Sequence, residues 1–196
     1  MFNGKDLTGW TPMLTTGKDA EIQTATTLGW IVRKGELICD SNTPGWLRLD
    51  KKYGDCEFEF EFFLPRDTNS GLLVHYPGQG QIHGTNKYEI QLENDPSQKM
   101  PDQNCGAIYG IVPPTRNAFK PNLWNEMSVR LQDGRITVRL NKQTVVDTKT
   151  ADHAALRNMP KVRHFGLFNF NSRITGAAKG CRFCNISVKE FITAAK

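Results

Sequence analysis

Carboxylate side chains recur at every second position in two segments of the chain. Residues 56–62 read CEFEFEF and residues 88–93 read YEIQLE, so each segment carries polar side chains on one face and apolar ones on the other. The polar members are Glu57, Glu59, Glu61, Glu89, Gln91 and Glu93. Carboxylates crowded on one surface raise one another's pKa values, which suits acid–base chemistry, cation binding or contact with sugar hydroxyls.

The spacing of these carboxylates fits the cleavage of glycosidic bonds. Glycosidases hold two carboxyl groups about 5 Å apart or about 6.5–9.5 Å apart, and residues i and i+2 of a strand fall in this range. If the two segments pair as neighbouring strands, up to five carboxylates meet on one surface. The outer face of an antiparallel sheet is also polar when it only meets water, so both interpretations stay open.

Histidines and aromatic residues surround these segments. His75 lies at the end of a predicted strand and His83 lies in the next loop. With Glu89 they could supply a base or bind a metal, or they could be ordinary histidines without such a role. Aromatic rings can stack on sugars, although such residues more often belong to a core. The candidates are Trp10, Trp30, Trp46, Trp124, Tyr76, Tyr88 and Tyr109.

Five cysteines leave at least one thiol unpaired within the chain. Cys181 and Cys184 have the spacing of half a zinc site, but the second half is missing. The segment is predicted to be a strand, in which positions three apart point to opposite faces. We therefore interpret the cysteines as buried thiols, predict no metal site and no cofactor, and leave a divalent metal open.

A periodicity of two dominates the remaining chain and predicts an all-β protein. Residues 127–131 and 135–140 form a hairpin across Asp133-Gly134, a strong turn signal. Further strands are predicted at 30–33, 36–39, 45–49, 70–76, 144–148, 164–169 and 182–191, and a short helical turn at 152–157. Such a series predicts a sandwich of two antiparallel sheets or a barrel.

Length and composition favour one folded domain over residues 1–196. The net charge of +5 permits binding to polyanions, but the basic residues are scattered, so we expect no nucleic-acid partner. No stretch is apolar enough to span a membrane. The N-terminus lacks signal-peptide features but begins inside an ordered motif, which favours a removed leader and a periplasmic or extracellular location. A cytoplasmic location and the oligomeric state stay open.

A phosphate-binding glycine loop, a dinucleotide fingerprint, a His-Glu-x-x-His motif and a Gly-x-Ser-x-Gly motif are all missing from the sequence. Kinases, dehydrogenases, zinc proteases and serine hydrolases are thereby disfavoured.

An ordered series of short motifs resembles a bacterial family known as 3-keto-disaccharide hydrolases. Residues 2–10, FNGKDLTGW, are similar to the opening of that family, and the likeness spans nearly the whole chain. It continues through Leu47-Arg48, residues 53–55, 57–61, 69–71, 88–91, 106–109, 120–125 and 183–190. The resemblance implies the jelly roll of concanavalin A-like lectins and glucanases.

The resemblance also implies a set of site residues. Among these residues, the chemistry of the reaction makes Glu61 and Glu89 the expected acid and base. His75, chosen for its place in the chain and not by the resemblance, fits either role or metal binding. The expected substrate-binding residues are Glu57, Asn69, Ser70, Gln91, Tyr109, Trp124 and Asn125. The chain departs from the family near its end, where members carry a Gln and a His and this sequence reads GLFNF at 166–170.

Together these features predict a hydrolase or lyase that acts on 3-keto-glycosides, with an oxidised disaccharide or glycoside as partner. A ketone at C3 acidifies the C2 proton, so a base can start an elimination that water addition converts into net hydrolysis. A carbohydrate-binding module without activity and an interaction domain of the cell envelope are the alternatives, because a fold does not fix a function.

Overall fold

A computed structural model describes residues 1–14, 29–39, 45–74, 87–95, 99–170 and 180–191. Within these ranges the chain forms twelve strands and two 3-10 helices, Pro101–Gln103 and Thr150–Asp152, and no α-helix. The strands are β1 Trp10–Leu14, β2 Trp30–Arg33, β3 Glu36–Cys39, β4 Gly45–Leu49, β5 Cys56–Phe63, β6 Asn69–Val74, β7 Tyr88–Glu93, β8 Trp124–Gln132, β9 Arg135–Leu140, β10 Gln143–Lys149, β11 Phe165–Phe170 and β12 Cys181–Glu190.

The strands form two antiparallel sheets. The five-stranded sheet has the order β1-β4-β11-β6-β7, and the seven-stranded sheet has the order β10-β9-β8-β5-β12-β3-β2. Strands that follow each other in the chain are often not adjacent in a sheet, because the chain crosses between the two layers. This connectivity is that of a jelly roll. The predicted all-β sandwich of two antiparallel sheets is confirmed.

Alternation in the sequence located most strands well. β2, β3, β4, β7 and β9 have the predicted bounds, and β5, β8, β10, β11 and β12 differ from prediction only at their ends. The hairpin across Asp133-Gly134 is confirmed, because β8 pairs with β9 and both turn residues have positive φ. β6 begins at Asn69, and β1 was not predicted. The expected turn at 152–157 is confirmed, because the backbone N–H groups of Leu156 and Arg157 both donate to the His153 carbonyl; the 3-10 helix Thr150–Asp152 directly precedes it.

One apolar core fills the space between the two sheets. Phe58, Phe60 and Phe62 of β5 face it from the seven-stranded sheet, and Ile90 and Leu92 of β7 face it from the other. Phe58 stacks on Phe165 of β11 with ring centres 5.2 Å apart, so the two layers are in direct contact. Since each strand turns its apolar side to this core, its polar side must face outwards.

The sequence has no stretch that is apolar enough to span a membrane, and the structure bears on this prediction through its helices. Among the residues that the structure describes, none belongs to a helix with the length and apolar character needed to cross a bilayer.

Candidate functional site

The outer face of the five-stranded sheet combines buried apolar and polar side chains. Strand register places Leu73 opposite Glu89 and Gly71 opposite Gln91, while their chain neighbours Leu72 and Ile90 face the core. A second buried cluster, separate from the core, lies on this outer face and consists of Met13, Trp46, Leu73 and Phe168. We call this surface the β7 face; its polar members are Asn69, Lys87, Glu89, Gln91 and Glu93.

Glu89 folds across the neighbouring strand at a glycine. A β-carbon added to Gly71 would lie 2.0 Å from Oε1 of Glu89 and 2.7 Å from its carboxyl carbon. No atom can approach that closely, so this position of the Glu89 side chain requires the missing side chain of Gly71. The carboxyl group thereby lies flat on the sheet, and Glu89 is only 9% exposed.

Burial gives Glu89 an unusual proton affinity. It raises the pKa of the carboxyl group from its ordinary 4.5 to about 7; the nearby Lys87 charge opposes this rise and the Glu93 charge adds to it. A carboxyl group with a pKa near neutrality can accept and release protons at physiological pH.

Lys87 lies two residues before Glu89 on the same side of the chain. Its ammonium nitrogen is 6.0 Å from the centre of the Phe168 ring, and burial lowers its pKa while the Glu89 charge raises it. The Lys87 ammonium group and the Glu89 carboxylate therefore shift each other's pKa values, and the ammonium group lies beside the Phe168 ring. Lys87 was not among the predicted site residues, although its i, i+2 spacing from Glu89 was an available signal.

Amide and hydroxyl groups continue the β7 face beyond Glu89. Nε2 of Gln91 is 3.5 Å from Oδ1 of Asn69 and 3.4 Å from Oε2 of Glu93, in donor geometry to both. The backbone N–H of Tyr109 donates to the Glu89 carbonyl at 2.9 Å. The pKa of Tyr109 is raised, mainly by burial and then by the charges of Glu89, Glu93 and Asp102.

A second glycine shapes the apolar side of this face. A β-carbon on Gly166 would lie 2.2 Å from the six-membered ring of Trp46, so the indole lies across Gly166 as the Glu89 carboxyl group lies across Gly71. Trp46 is fully buried and Phe168 is 5% exposed. Both therefore act as an apolar lining beside Glu89 and not as open stacking surfaces.

The expectation that Glu57 and Glu61 lie on one surface with Glu89 is wrong. β5 and β7 do not pair; they belong to different sheets, and each turns its apolar side to the shared core from the opposite direction. Glu61 accepts a hydrogen bond from Nδ2 of Asn185 at 2.7 Å, and Glu57 accepts one from Oγ of Ser128 at 2.5 Å. The β5 glutamates therefore form a second polar surface on the other side of the molecule.

Three further predicted binding residues lie away from the β7 face. Ser70 faces the core and its hydroxyl donates to the carbonyl of Phe168. Asn125 is 1% exposed and its amide holds the preceding loop, donating to the Lys120 carbonyl at 2.9 Å. Trp124 lies on the outer face of the seven-stranded sheet, where Arg182 stacks 5.3 Å from its ring centre. The sequence could not separate these structural roles from binding, because amides and hydroxyls serve both.

The third expected catalytic residue, His75, lies outside the described residues, as do His83 and Tyr76. Within the part of the chain that the structure describes, no three His, Cys, Asp or Glu side chains come together as a metal-binding group.

Comparison with known proteins identifies the family. The model of the 3-keto-alpha-glucoside-1,2-lyase-like domain matches residues 1–189. The chain belongs to this family. No curated protein matches the sequence.

Solved structures related to this 3-keto-alpha-glucoside-1,2-lyase-like chain share its fold. A candidate glycosyl hydrolase from Parabacteroides distasonis superposes with a TM-score of 0.73 at 20% identity, covering 97% of this chain and 92% of its own. The carbohydrate-binding module CBM66 from Bacillus subtilis has a TM-score of 0.53 at 14% identity, covering 93% and 96%. The lumenal domain of VIP36, bound to Ca²⁺ and Man3GlcNAc, has a TM-score of 0.60 at 11% identity, covering 100% and 89%.

Proposed function

We propose that this protein cleaves glycosides that carry a ketone at C3, with the Glu89 carboxylate as the base. The observation that carries the proposal is the buried Glu89 carboxyl group, whose pKa of about 7 matches the task of removing a proton at neutral pH. The family, described by 3-keto-alpha-glucoside 1,2-lyase chemistry, supplies the reaction class.

The reaction begins at C2 of the oxidised sugar. Glu89 takes the C2 proton, and the electron pair of the broken C–H bond moves towards the C3 ketone as an enolate. The enolate then forms the C1–C2 double bond and expels the oxygen at C1, which takes up a proton and leaves as an alcohol. Addition of water across this double bond, with hydroxyl at C1 and hydrogen at C2, gives the products of net hydrolysis.

Other groups of the β7 face support these steps in the proposal. The Lys87 ammonium stabilises negative charge on the C3 oxygen, since a cation fixed in a dry site favours the enolate. The exposed Tyr109 hydroxyl protonates the leaving oxygen, the role predicted for Glu61, because Glu61 belongs to the other sheet. Gln91, Asn69 and Glu93 bind sugar hydroxyls. His75 remains a predicted base, acid or metal ligand.

The apolar lining explains how a carboxylate on an outer face becomes a base. Met13, Trp46, Leu73 and Phe168 are all buried beside the polar row, so the surroundings of Glu89 are poor in water. Low polarity penalises the charged form and makes the carboxylate a stronger base when it ionises. Phe168, in the segment 166–170 where family members carry a Gln and a His, contributes to this lining.

The decisive experiment compares oxidised and unoxidised disaccharides. We expect purified protein to release sugar from 3-keto-trehalose or 3-keto-sucrose and not from trehalose or sucrose. In D2O, deuterium should appear at C2 of the product, because the C2 proton is removed during elimination. Normal binding of the keto sugars with no release of sugar contradicts the proposal.

A carbohydrate-binding module without catalysis is the second candidate. The likeness to CBM66 over 93% of the chain favours it, because that fold supports sugar binding alone. Replacement of Glu89 by Gln separates the two: a module loses affinity for sugar, whereas an enzyme loses rate and keeps most of its affinity.

The proposed location is the periplasm or the cell exterior. The lumenal origin of the VIP36 domain is consistent with a sugar-binding fold outside the cytoplasm. Fractionation of cells that produce the full-length protein tests this location.

A further inference from the structure

Cys39 and Cys181 stand directly opposite each other on neighbouring antiparallel strands. The register of β12 on β3 pairs Cys181 with Cys39, then Arg182 with Ile38 and Phe183 with Leu37. Phe183 and Leu37 belong to the core and lie two residues from the cysteines, so both cysteines also face the core. The two side chains are 0% and 1% exposed, which places them beside each other in the same dry layer.

This arrangement meets the geometric requirement for a disulfide. Directly opposed residues of antiparallel strands have Cα atoms about 4.5–5.5 Å apart. A disulfide joins Cα atoms about 4.4–6.8 Å apart and Cβ atoms about 3.5–4.5 Å apart, so the Cα separation fits and the two Cβ atoms need only a small approach.

The other cysteines have different neighbours in the described ladders. Cys56 is opposite Leu131 on one side and Glu190 on the other, and Cys184 is opposite Glu61 on the outer face. Cys105 precedes Gly106 in the segment after β7, outside the named strands. Cys39 and Cys181 are therefore the pair that the fold prepares for cross-linking.

We propose that Cys39 and Cys181 form a disulfide that joins β3 to β12 when the chain folds in the presence of a disulfide oxidant. One thiolate attacks the external disulfide, such as glutathione disulfide, and forms a mixed disulfide while one thiol leaves. The second cysteine loses its proton, attacks the protein sulfur of the mixed disulfide and releases the second thiol. Two protein thiols are oxidised, and one external disulfide is reduced to two thiols.

The first step, attack on the external disulfide, occurs before the strands close, and the second follows as β12 pairs with β3. Burial raises the pKa of the Cys181 thiol to about 12, so the reactive thiolate is scarce in the finished sandwich. Oxidant therefore reacts with the open chain during folding and only slowly with the reduced native protein. Once formed, the bond closes a long loop and stabilises the fold by restricting the unfolded chain.

Oxidative refolding of the whole chain tests the proposal. Denatured, reduced protein is refolded with a mixture of glutathione and glutathione disulfide and then digested without reduction. We expect a Cys39–Cys181 linked peptide to predominate, and dithiothreitol to lower the Tm by about 5–15 °C, since closing a long loop gives several kcal/mol.

Two variants act as controls. Cys39→Ser should remove both the linked peptide and the effect of dithiothreitol on Tm, whereas Cys105→Ser should keep both. A refolded chain that retains all five thiols, or in which another pairing predominates, overturns the proposal. The peptide map of the unmodified chain decides the question even if Cys39→Ser does not fold.

Discussion

The carboxyl group of Glu89 lies over Gly71 of the adjacent strand, in the space that a β-carbon would occupy. The approach of Oε1 to within 2.0 Å of that β-carbon position excludes every residue except glycine from position 71 as long as Glu89 keeps its place. The candidate base is thus positioned by the lack of an atom on its neighbour.

Gly71→Ala should displace the Glu89 carboxyl group while the strand persists, because alanine is compatible with extended backbone. We expect kcat/KM on a 3-keto-glycoside to fall by about 10- to 100-fold, since misplacement of a catalytic group by about 1 Å has this effect. The matched control is Gly54→Ala, because a β-carbon there meets no atom within 4 Å. Equal activity of both variants would contradict the positioning role of Gly71.

Glu89→Gln should remove the base and keep the shape of the site. We expect kcat to drop by about 10²- to 10⁴-fold, the range for loss of general acid–base catalysis, with a small change in the Kd of the keto sugar. Steady-state kinetics and calorimetric titration measure the two quantities. A large loss of affinity at unchanged kcat would instead support a binding module.

The activity should depend on pH through Glu89. The proposed base acts in its ionised form and has a pKa of about 7, so kcat/KM should rise as the pH increases through about 7. The pH profile of the unmodified protein between pH 5 and about 9 measures this limb. A flat profile across neutrality would assign the proton transfer to another group.

The stability of the fold should fall over the pH range in which the activity rises. The pKa of Glu89 is higher in the folded chain than its ordinary 4.5, so the folded state holds the proton more tightly and loses stability as the pH rises from about 4.5 through about 7. At pH 8 the free energy of unfolding of the Glu89→Gln variant should be up to about 3 kcal/mol higher than that of the unmodified protein. This figure follows from the rise in the Glu89 pKa, at about 1.36 kcal/mol per pKa unit. At pH 4 the two should be similar. Urea unfolding at both pH values is the measurement, and a variant that is less stable at pH 8 would contradict the role of burial.

Asn125→Ala should affect folding more than catalysis. The buried amide also donates to the Leu123 carbonyl at 2.8 Å and accepts from Nδ2 of Asn141 at 2.7 Å. Loss of these bonds leaves buried groups unpaired and should cost about 2–3 kcal/mol of unfolding free energy. Activity per folded molecule should stay within about threefold. A specific loss of substrate affinity would restore the predicted binding role.

Glu61→Gln tests whether the outer face of the seven-stranded sheet takes part in cleavage. Its side chain meets Asn185 on the seven-stranded sheet, so the cleavage rate and its pH profile should match those of the unmodified protein. A rate loss comparable to that of Glu89→Gln would require the two faces to serve one reaction.

The positions of the strands could be predicted from the sequence better than the pairing between strands. Alternation in residues 56–62 and 88–93 depends only on local spacing, and both segments are strands, β5 and β7. Their placement in different sheets depends on how distant strands cross between layers, which local spacing does not encode. Glu57 and Glu61 were therefore grouped with Glu89 although the core separates them.

The predicted site was incomplete for a related reason. Gly71 positions Glu89 by lacking a side chain, so its own chemistry gives no sign of that role, although the resemblance through residues 69–71 had marked the segment. Lys87 shares a face with Glu89 by simple alternation and could have been found by extending that pattern by one residue pair. Ser70 and Asn125 show that polar residues also serve to hold backbone groups inside the fold.

The opposite orientation of the two polar surfaces has a practical use. Glu59 is exposed on the seven-stranded sheet, and the whole core lies between it and the β7 face. A fluorescent label or solid support coupled at this position would leave Glu89 facing solution. The protein can therefore be immobilised by one layer while substrate reaches the other.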